Sequence, residues 1–229
     1  FFAFVLSLGG VGVLVFFIHH IASSIQASSI IASIAQDTIA SIERLFPERL
    51  GHGPDEDEDQ DQVRQSLDER SWYAVPAAVN GYIQSVDNDA LLRLARNRKT
   101  IVRMERGIGA FVVQNTALAS LALEDPPDQE TIEALNDAYN VGRHRTVEQD
   151  PAFGIRQLVD MALKALSPGV NDTSTAVMCV DYLTAILAQL ASRKFPSSHR
   201  YEGDELRVIT IAPTFEGLLA EAFDQIREN

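Results

Sequence analysis

FFAFVLSLGGVGVLVFFI, residues 1–18, contains no charged side chain and a single polar one, Ser7. A run of about 18 apolar residues is long enough to cross a hydrocarbon core about 30 Å thick. The chain begins with Phe1, without a basic segment and without a small-residue cleavage site, which disfavours a secretory signal peptide. The run therefore predicts a transmembrane helix over residues 1–20, which we interpret as the last span of a multi-pass bundle in a chain cropped upstream.

The helical pattern continues beyond this span, because no proline or glycine occurs between Gly12 and Pro47. One helix over residues 1–46 would be about 70 Å long, twice the thickness of a bilayer. Apolar and small side chains recur along it at spacings of four and three, as in a heptad seam. The seam comprises Ile21, Ile25, Ala32, Ala35, Ile39 and Ile42. This pattern predicts a long amphipathic oligomerisation helix over residues 21–50, and hence a homo-oligomer whose helices converge about an axis.

Six residues of this helix are candidates for lining that axis: Gly9, Gly12, His19, His20, Ser24 and Ser28. For the glycines, ordinary close packing between helices is the favoured alternative. Neighbouring histidines point about 100° apart, so one helix cannot chelate a metal with both. A ring of histidines around the axis and a simple interfacial anchor remain the two interpretations of His19 and His20, and no metal site is predicted.

The formal charge of −13 is carried entirely from Asp37 onward. Such an acidic region argues against nucleic-acid binding, or binding to anionic lipid, through bulk charge. Residues 51–70 are predicted to be an acidic linker, in which the run DEDEDQD (55–61) is solvated rather than cation-binding. The single cysteine, Cys179, excludes an internal disulfide framework and is interpreted as a buried apolar side chain.

The remaining chain predicts an α+β soluble region in two parts. Residues 71–125 read as a small β-barrel-like subdomain with short strands at 72–75, 81–86, 100–104, 110–113 and 117–121, and a helix at 89–98. Residues 126–229 read as a mainly helical α/β subdomain, truncated at its C-terminus. Its predicted elements are a helix over 129–147, a helix begun by Asp150-Pro151, a helix capped by Asn171 or Asp172, a strand at 206–211 and a helix at 215–227.

Two segments together carry a family resemblance: FFIHHIASSIQAS (16–28) and RHRTVEQDPAFGIRQLVDMALKALSPGVNDTSTA (143–176). They resemble the DUF2254 family of predicted bacterial and archaeal membrane proteins, and the resemblance covers essentially the whole chain. It implies a few transmembrane helices followed by a soluble region of unassigned function. It implies no mechanism.

The residues most suited to holding a ligand are Arg143, Arg145, Asn171, Asp172 and Thr173. Helix N-termini with hydroxyl donors and nearby arginines can hold a phosphate or carboxylate. The competing interpretation is favoured: Asp150 and Asp172 cap their own helices, and the arginines pair with acidic residues.

No catalytic motif is present: the chain lacks GxSxG, a Walker loop, HExxH and a GxGxxG after a strand. We therefore expect neither an enzyme nor a cofactor. The first hypothesis is a homo-oligomeric channel or conduit in the plasma membrane, with an acidic cytoplasmic vestibule, whose partners are the lipid bilayer, its own copies and an ion. The alternative is a membrane-anchored sensor or scaffold whose soluble domain binds a small anion or a protein.

Overall fold

The computed structural model describes residues 2–46, 67 and 70–228, and for residues 4–6, 16 and 18–25 it describes the backbone alone. The run DEDEDQD lies outside the described residues. The elements, in chain order, are α1 (Phe2–Leu45), β1 (Trp72–Pro76), β2 (Gly81–Val86), α2 (Asn88–Asn97), β3 (Val102–Met104), β4 (Phe111–Val112), β5 (Ala117–Ala122), α3 (Gln129–Asp137), β6 (Tyr139–Gly142), α4 (Pro151–Leu166), α5 (Thr173–Ala191), β7 (His199–Glu202), β8 (Glu205–Ile209) and α6 (Phe215–Glu228).

Helix α1 is one uninterrupted helix of 44 residues, which confirms the prediction that the apolar run and the following segment form a single rod. Its two halves have different surroundings. Large apolar side chains are exposed in the first half, whereas from Ile31 onward one face is buried within the chain. The helix ends where Phe46 donates its amide to Ile42, immediately before Pro47.

The second half of α1 belongs to a helical core that it shares with α4, α5 and α6. The fully buried side chains of this core include Ile31, Ala35, Ile42, Ile155, Leu158, Leu183 and Ile186. Ala35 and Ile42, assigned from the sequence to a seam between copies, therefore pack inside their own chain. The reason is that α4 and α5 each carry an apolar face, and these two faces cover the buried stripe of α1 within the same chain.

The strands form two open sheets. The larger has the order β1-β5-β3-β8-β7 and the smaller the order β4-β2-β6. Within the larger sheet β3 runs parallel to β8, while the other neighbours are antiparallel. The prediction of a barrel-like subdomain is therefore wrong. The sheets recruit β6, β7 and β8 from beyond residue 125, so the strands of 71–125 need not close on themselves.

The predicted helix over 129–147 is also wrong in its second half. Helix α3 begins at its cap Asp128 but ends at Asp137, and Tyr139–Gly142 forms β6, paired with β2. Tyr139 and Val141 have good strand propensity, and an open edge of β2 offers them backbone partners. Strands and helix α2 between Trp72 and Ala122 agree with the sequence prediction to within two residues, with Asp87 as the α2 cap.

Candidate functional site

Residues 143–150, named here the junction segment, connect β6 to α4. Its last residue, Asp150, caps α4 by accepting the Phe153 amide at 3.2 Å, and Pro151 occupies the first turn of the helix, where its missing N–H is not needed. The other oxygen of Asp150, Oδ2, accepts from Arg145 Nε at 2.9 Å and from Arg145 Nη2 at 2.7 Å. The local motif Asp-Pro thus fixes both the start of the helix and the position of an ion pair.

The Arg145–Asp150 pair is closed off from solvent on the carboxylate side. Asp150 is 6% exposed, and burial raises its pKa above the ordinary aspartate value, although Arg145 and the Phe153 amide offset part of this rise. The Arg145 guanidinium also lies over the Phe153 ring, 4.9 Å from its centroid. Both charges are therefore engaged within the segment, which is the arrangement of a structural ion pair.

Gly109, from the β3–β4 connection, packs directly against this pair. Its φ of +82° lies in the left-handed region, and a Cβ added there would clash with Asp150 Oδ2 and lie 2.8 Å from Arg145 Nη2. A side chain at this position would displace the pair as well as strain the backbone. The absence of a side chain at Gly109 therefore lets the backbone pack directly against the ion pair.

The junction segment is bound to α1 through one backbone carbonyl. Glu148 O accepts from Ser41 Oγ at 3.2 Å and from Arg44 Nη2. Close by, Gly154 of α4 lies so near to Thr38 that an added Cβ would collide with the Thr38 side chain. The C-terminal end of α1 is thus in close contact with both the junction segment and α4.

The same segment is bound to the smaller sheet on its other side. Gln84 Nε2 donates to His144 O at 2.7 Å, and the Val86 amide donates to Gln149 Oε1 at 3.2 Å. Residues 143–150 therefore form hydrogen bonds with three elements: α1, α4 and β2. Sequence reasoning placed two ligand-binding candidates, Arg143 and Arg145, in this stretch but could not show that α1 and β2 both bind it.

The structure does not bring the predicted ligand-binding residues together. Arg143 and Arg145 lie before α4, whereas Asn171, Asp172 and Thr173 lie after it, and a 16-residue helix is about 24 Å long. Asp172 caps α5 by accepting from the Thr175 amide at 3.1 Å and the Thr175 hydroxyl at 2.7 Å. Asn171 adopts a φ of +47° just before it, and Thr173 is exposed.

The candidate residues on α1 differ in how far they are buried within the chain. Gly9 and Gly12 have no atom within 4 Å of an added Cβ, and Ser28 is half-buried. Ala32 and Ile39 of the proposed seam are half-buried. The side chains of His19, His20, Ser24, Ile21 and Ile25 lie outside the described set, so their roles stay predictions.

Comparison with known proteins assigns this chain to a family. The family model DUF2254, described as "Predicted membrane protein", matches residues 1–229. The chain belongs to the DUF2254 family. Uncharacterized proteins of Mycobacterium bovis and Mycobacterium tuberculosis are each 30% identical to it over 229 residues, covering 97% of this chain and 42% of the relative. The chain thus spans less than half the length of these relatives, and no solved structure matches it.

Among the described helices of this DUF2254 chain, one has the length and composition of a membrane span. Helix α5 (Thr173–Ala191) is long and apolar enough to cross a membrane by length and composition. Its buried side chains, Cys179, Leu183 and Ile186 among them, pack in the helical core against α1 and α4. A core helix passes the same test, so α5 is weak evidence for a span.

A second feature of this DUF2254 chain was missed by sequence reasoning. A cleft of about 810 Å³ lies between α2, the start of β3 and the β7–β8 hairpin. Its lining includes Arg70, Arg96, Lys99 and Arg207, which come from three distant stretches of sequence. No local motif marks such a site, because the parallel pairing of β3 with β8 creates it. Within the described residues, no cluster of His, Cys, Asp and Glu has the grouping needed to hold a metal ion.

Proposed function

We propose that this protein is a membrane-anchored sensor or scaffold in which α1 couples a membrane-embedded segment to the soluble α+β region. The observation that carries the proposal is the pair of hydrogen bonds from Ser41 and Arg44 of α1 to Glu148 O in the junction segment. A helix without a break transmits displacement along its axis, and this one ends on a segment that also contacts α4 and β2.

The first half of α1 supports insertion into a membrane. Seven of its large apolar side chains are more than half exposed within the chain: Phe2, Leu8, Val11, Val13, Leu14, Val15 and Phe17. A contiguous apolar surface of this kind is unfavourable in water and is covered in proteins by lipid or by other helices. The proposal assigns coupling and binding to the molecule, rather than catalysis.

Bilayer thickness gives a direct test, because a change in thickness tilts or shifts a transmembrane helix. The intact chain is reconstituted in bilayers of two hydrocarbon thicknesses, and amide hydrogen exchange is measured over residues 143–150. We expect exchange there to change with thickness in the natural protein. The double variant Ser41→Ala/Arg44→Gln should abolish the response.

A matched control uses the neighbouring α1 residue Glu43, whose hydrogen-bond and ion-pair partners among the described residues are Gln189, at 2.9 Å, and Arg193, at 4.0 Å, both outside the junction segment. Glu43→Gln should keep the response. If the natural protein shows no response to thickness, or if the Ser41→Ala/Arg44→Gln variant responds equally, the coupling proposal is wrong.

A homo-oligomeric conduit is the second candidate, favoured by the open surroundings of Gly9 and Gly12 on the exposed half of α1. Copies arranged about an axis would cover this surface and would place an acidic region, in a chain of charge −13, beside the opening. Cryo-EM of the detergent-extracted protein tests it. A symmetric ring with a wetted path past His19 and Ser28, together with cation conductance, supports a conduit; a monomer or a dry axis contradicts it.

A further inference from the structure

The cleft beside α2 gathers positive charge in an acidic protein. Four cationic side chains, those of Arg70, Arg96, Lys99 and Arg207, face two lining carboxylates, those of Asp204 and Glu205. The lining therefore carries a formal charge of +2 (four minus two), whereas the chain as a whole carries −13. The volume of about 810 Å³ lies in the range of small-molecule sites and is much larger than a single inorganic anion needs.

Arg207 is the most enclosed of these cations. Its side chain is 15% exposed, and its Nε atom is buried without a hydrogen-bond partner among the described residues. Its guanidinium pairs with Glu205, and Glu202 Oε2 lies 3.7 Å from Nε. Both carboxylates are substantially exposed, so these pairs contribute little to stability, and a more highly charged anion can replace them.

The end of α2 and the turn that follows it supply two further cations, Arg96 and Lys99. Arg96 Nη1 lies 3.2 Å from Glu202 Oε1 in a half-exposed pair, and no described carboxylate pairs with Lys99. Lys99 has a φ of +52°, where the chain turns out of the helix towards β3. Two other arginines of the same helix segment pair elsewhere: Arg93 with Asp87, and Arg98 with Asp128 and Glu130. Arg93 and Arg98 thus pair outside the cleft, whereas Arg96 and Lys99 line it.

We propose that this cleft binds a nucleotide. The phosphates would bind Arg96, Lys99 and Arg207, because guanidinium and ammonium groups form charge-assisted hydrogen bonds with phosphate oxygens. The nucleobase would stack on Tyr201, a lining residue whose side chain is half exposed. Thr100 also lines the cleft but does not take part, because its hydroxyl already donates to Ala122 O at 2.8 Å.

Calorimetric titration of the intact chain in neutral detergent tests the proposal with three probes: ADP, inorganic pyrophosphate and adenosine. We expect ADP to bind most tightly, pyrophosphate more weakly and adenosine hardly at all, with affinity falling as salt is raised. The double variant Arg96→Gln/Lys99→Gln should lower ADP affinity by about tenfold or more. Tyr201→Ala should weaken ADP binding and leave pyrophosphate binding unchanged.

Arg93→Gln is the matched control, since it removes one charge from the same helix outside the cleft, and it should bind ADP like the natural chain. The inference is overturned if the folded chain binds neither ADP nor pyrophosphate, or if Arg93→Gln and Arg96→Gln/Lys99→Gln have equal effects. If Tyr201→Ala leaves ADP binding unchanged, or if adenosine binds as well as ADP, the assignment of phosphate and base positions is wrong. These readouts do not involve α1, so they fail or succeed separately from the coupling proposal.

Discussion

The Arg145–Asp150 pair is the residue-scale feature on which the junction segment depends. Asp150 has two roles: one oxygen caps α4 and the other holds Arg145. The sequence predicted the first role from the Asp-Pro dipeptide, because capping is a local property. It did not reveal that Gly109 covers the pair, since that contact joins residues about 40 positions apart and only the fold brings them together.

Removal of Asp150 should destabilise the protein more than removal of an ordinary cap. Asp150→Ala leaves Arg145 without its buried partner and uncaps α4, so we expect the free energy of unfolding to fall by about 3 kcal/mol. The control is Asp87→Ala, which removes the exposed cap of α2 and should cost about 1 kcal/mol. Urea unfolding of the intact chain in detergent measures both. Equal losses would show that Asp150 acts only as a cap.

The pH dependence of stability tests the electrostatics of the same residue. Burial raises the pKa of Asp150 in the folded protein above its unfolded value, so the folded state holds this proton more tightly. Its contribution to stability is therefore complete below the unfolded pKa and is lost as pH rises through the folded pKa. Relative to Asp150→Asn, the natural protein should lose stability as the pH is raised from about 4 to about 7. A gain over this interval would mean that Arg145 outweighs burial.

At the scale of elements, the contact between α1 and α4 positions the junction segment. Thr38 is fully buried, donates its hydroxyl to Ile34 O at 2.6 Å, and packs on Gly154, where α4 has no side chain. Small residues at a helix crossing allow close approach of the two backbones. The sequence placed Gly154 on α4, but its partner on α1 is more than 100 residues away.

Substitution of Gly154 by alanine therefore tests this crossing. In an isolated helix the change would stabilise by about 1 kcal/mol, because glycine is a poor helix former. Here the new methyl group meets Thr38, so we expect a net loss of about 2 kcal/mol and faster hydrogen exchange in the second half of α1. Gly169→Ala, with no atom within 4 Å of its added Cβ, should be nearly neutral. A stabilised Gly154→Ala variant would contradict the contact.

The elements also show which features a single sequence reveals. Local signals located β1, β2, α2 and the cap Asp150, and they limited the cap of α5 to Asn171 or Asp172, because turn residues and capping side chains act within a few positions. The sequence analysis predicted a helix where β6 lies, and it predicted the strand β8 without its hairpin partner β7. Their place depends on free sheet edges formed by residues far away in sequence, and for the same reason the basic cleft had no sequence signature.

At the scale of the whole molecule, α1 is asymmetric. One half exposes apolar side chains and the other is embedded in the helical core of its own chain. A heptad-like stripe in the sequence cannot distinguish packing against another copy from packing against later helices of the same chain. Under the coupling proposal, the exposed half of α1 lies in a bilayer and the embedded half connects it to the soluble region.

The central claim, that α1 is one rigid helix from bilayer to core, has a direct measurement. Spin labels are placed at Leu14→Cys and Ser33→Cys, both exposed positions, while the native Cys179 is fully buried. The double-labelled chain is diluted with unlabelled chain in lipid bilayers, and the label–label distance is measured by pulsed EPR. Nineteen residues of continuous helix predict a narrow distribution near about 29 Å, with the label at 14 accessible to oxygen and the label at 33 accessible to aqueous nickel. A broad or much shorter distance, or nickel access at position 14, would contradict the account.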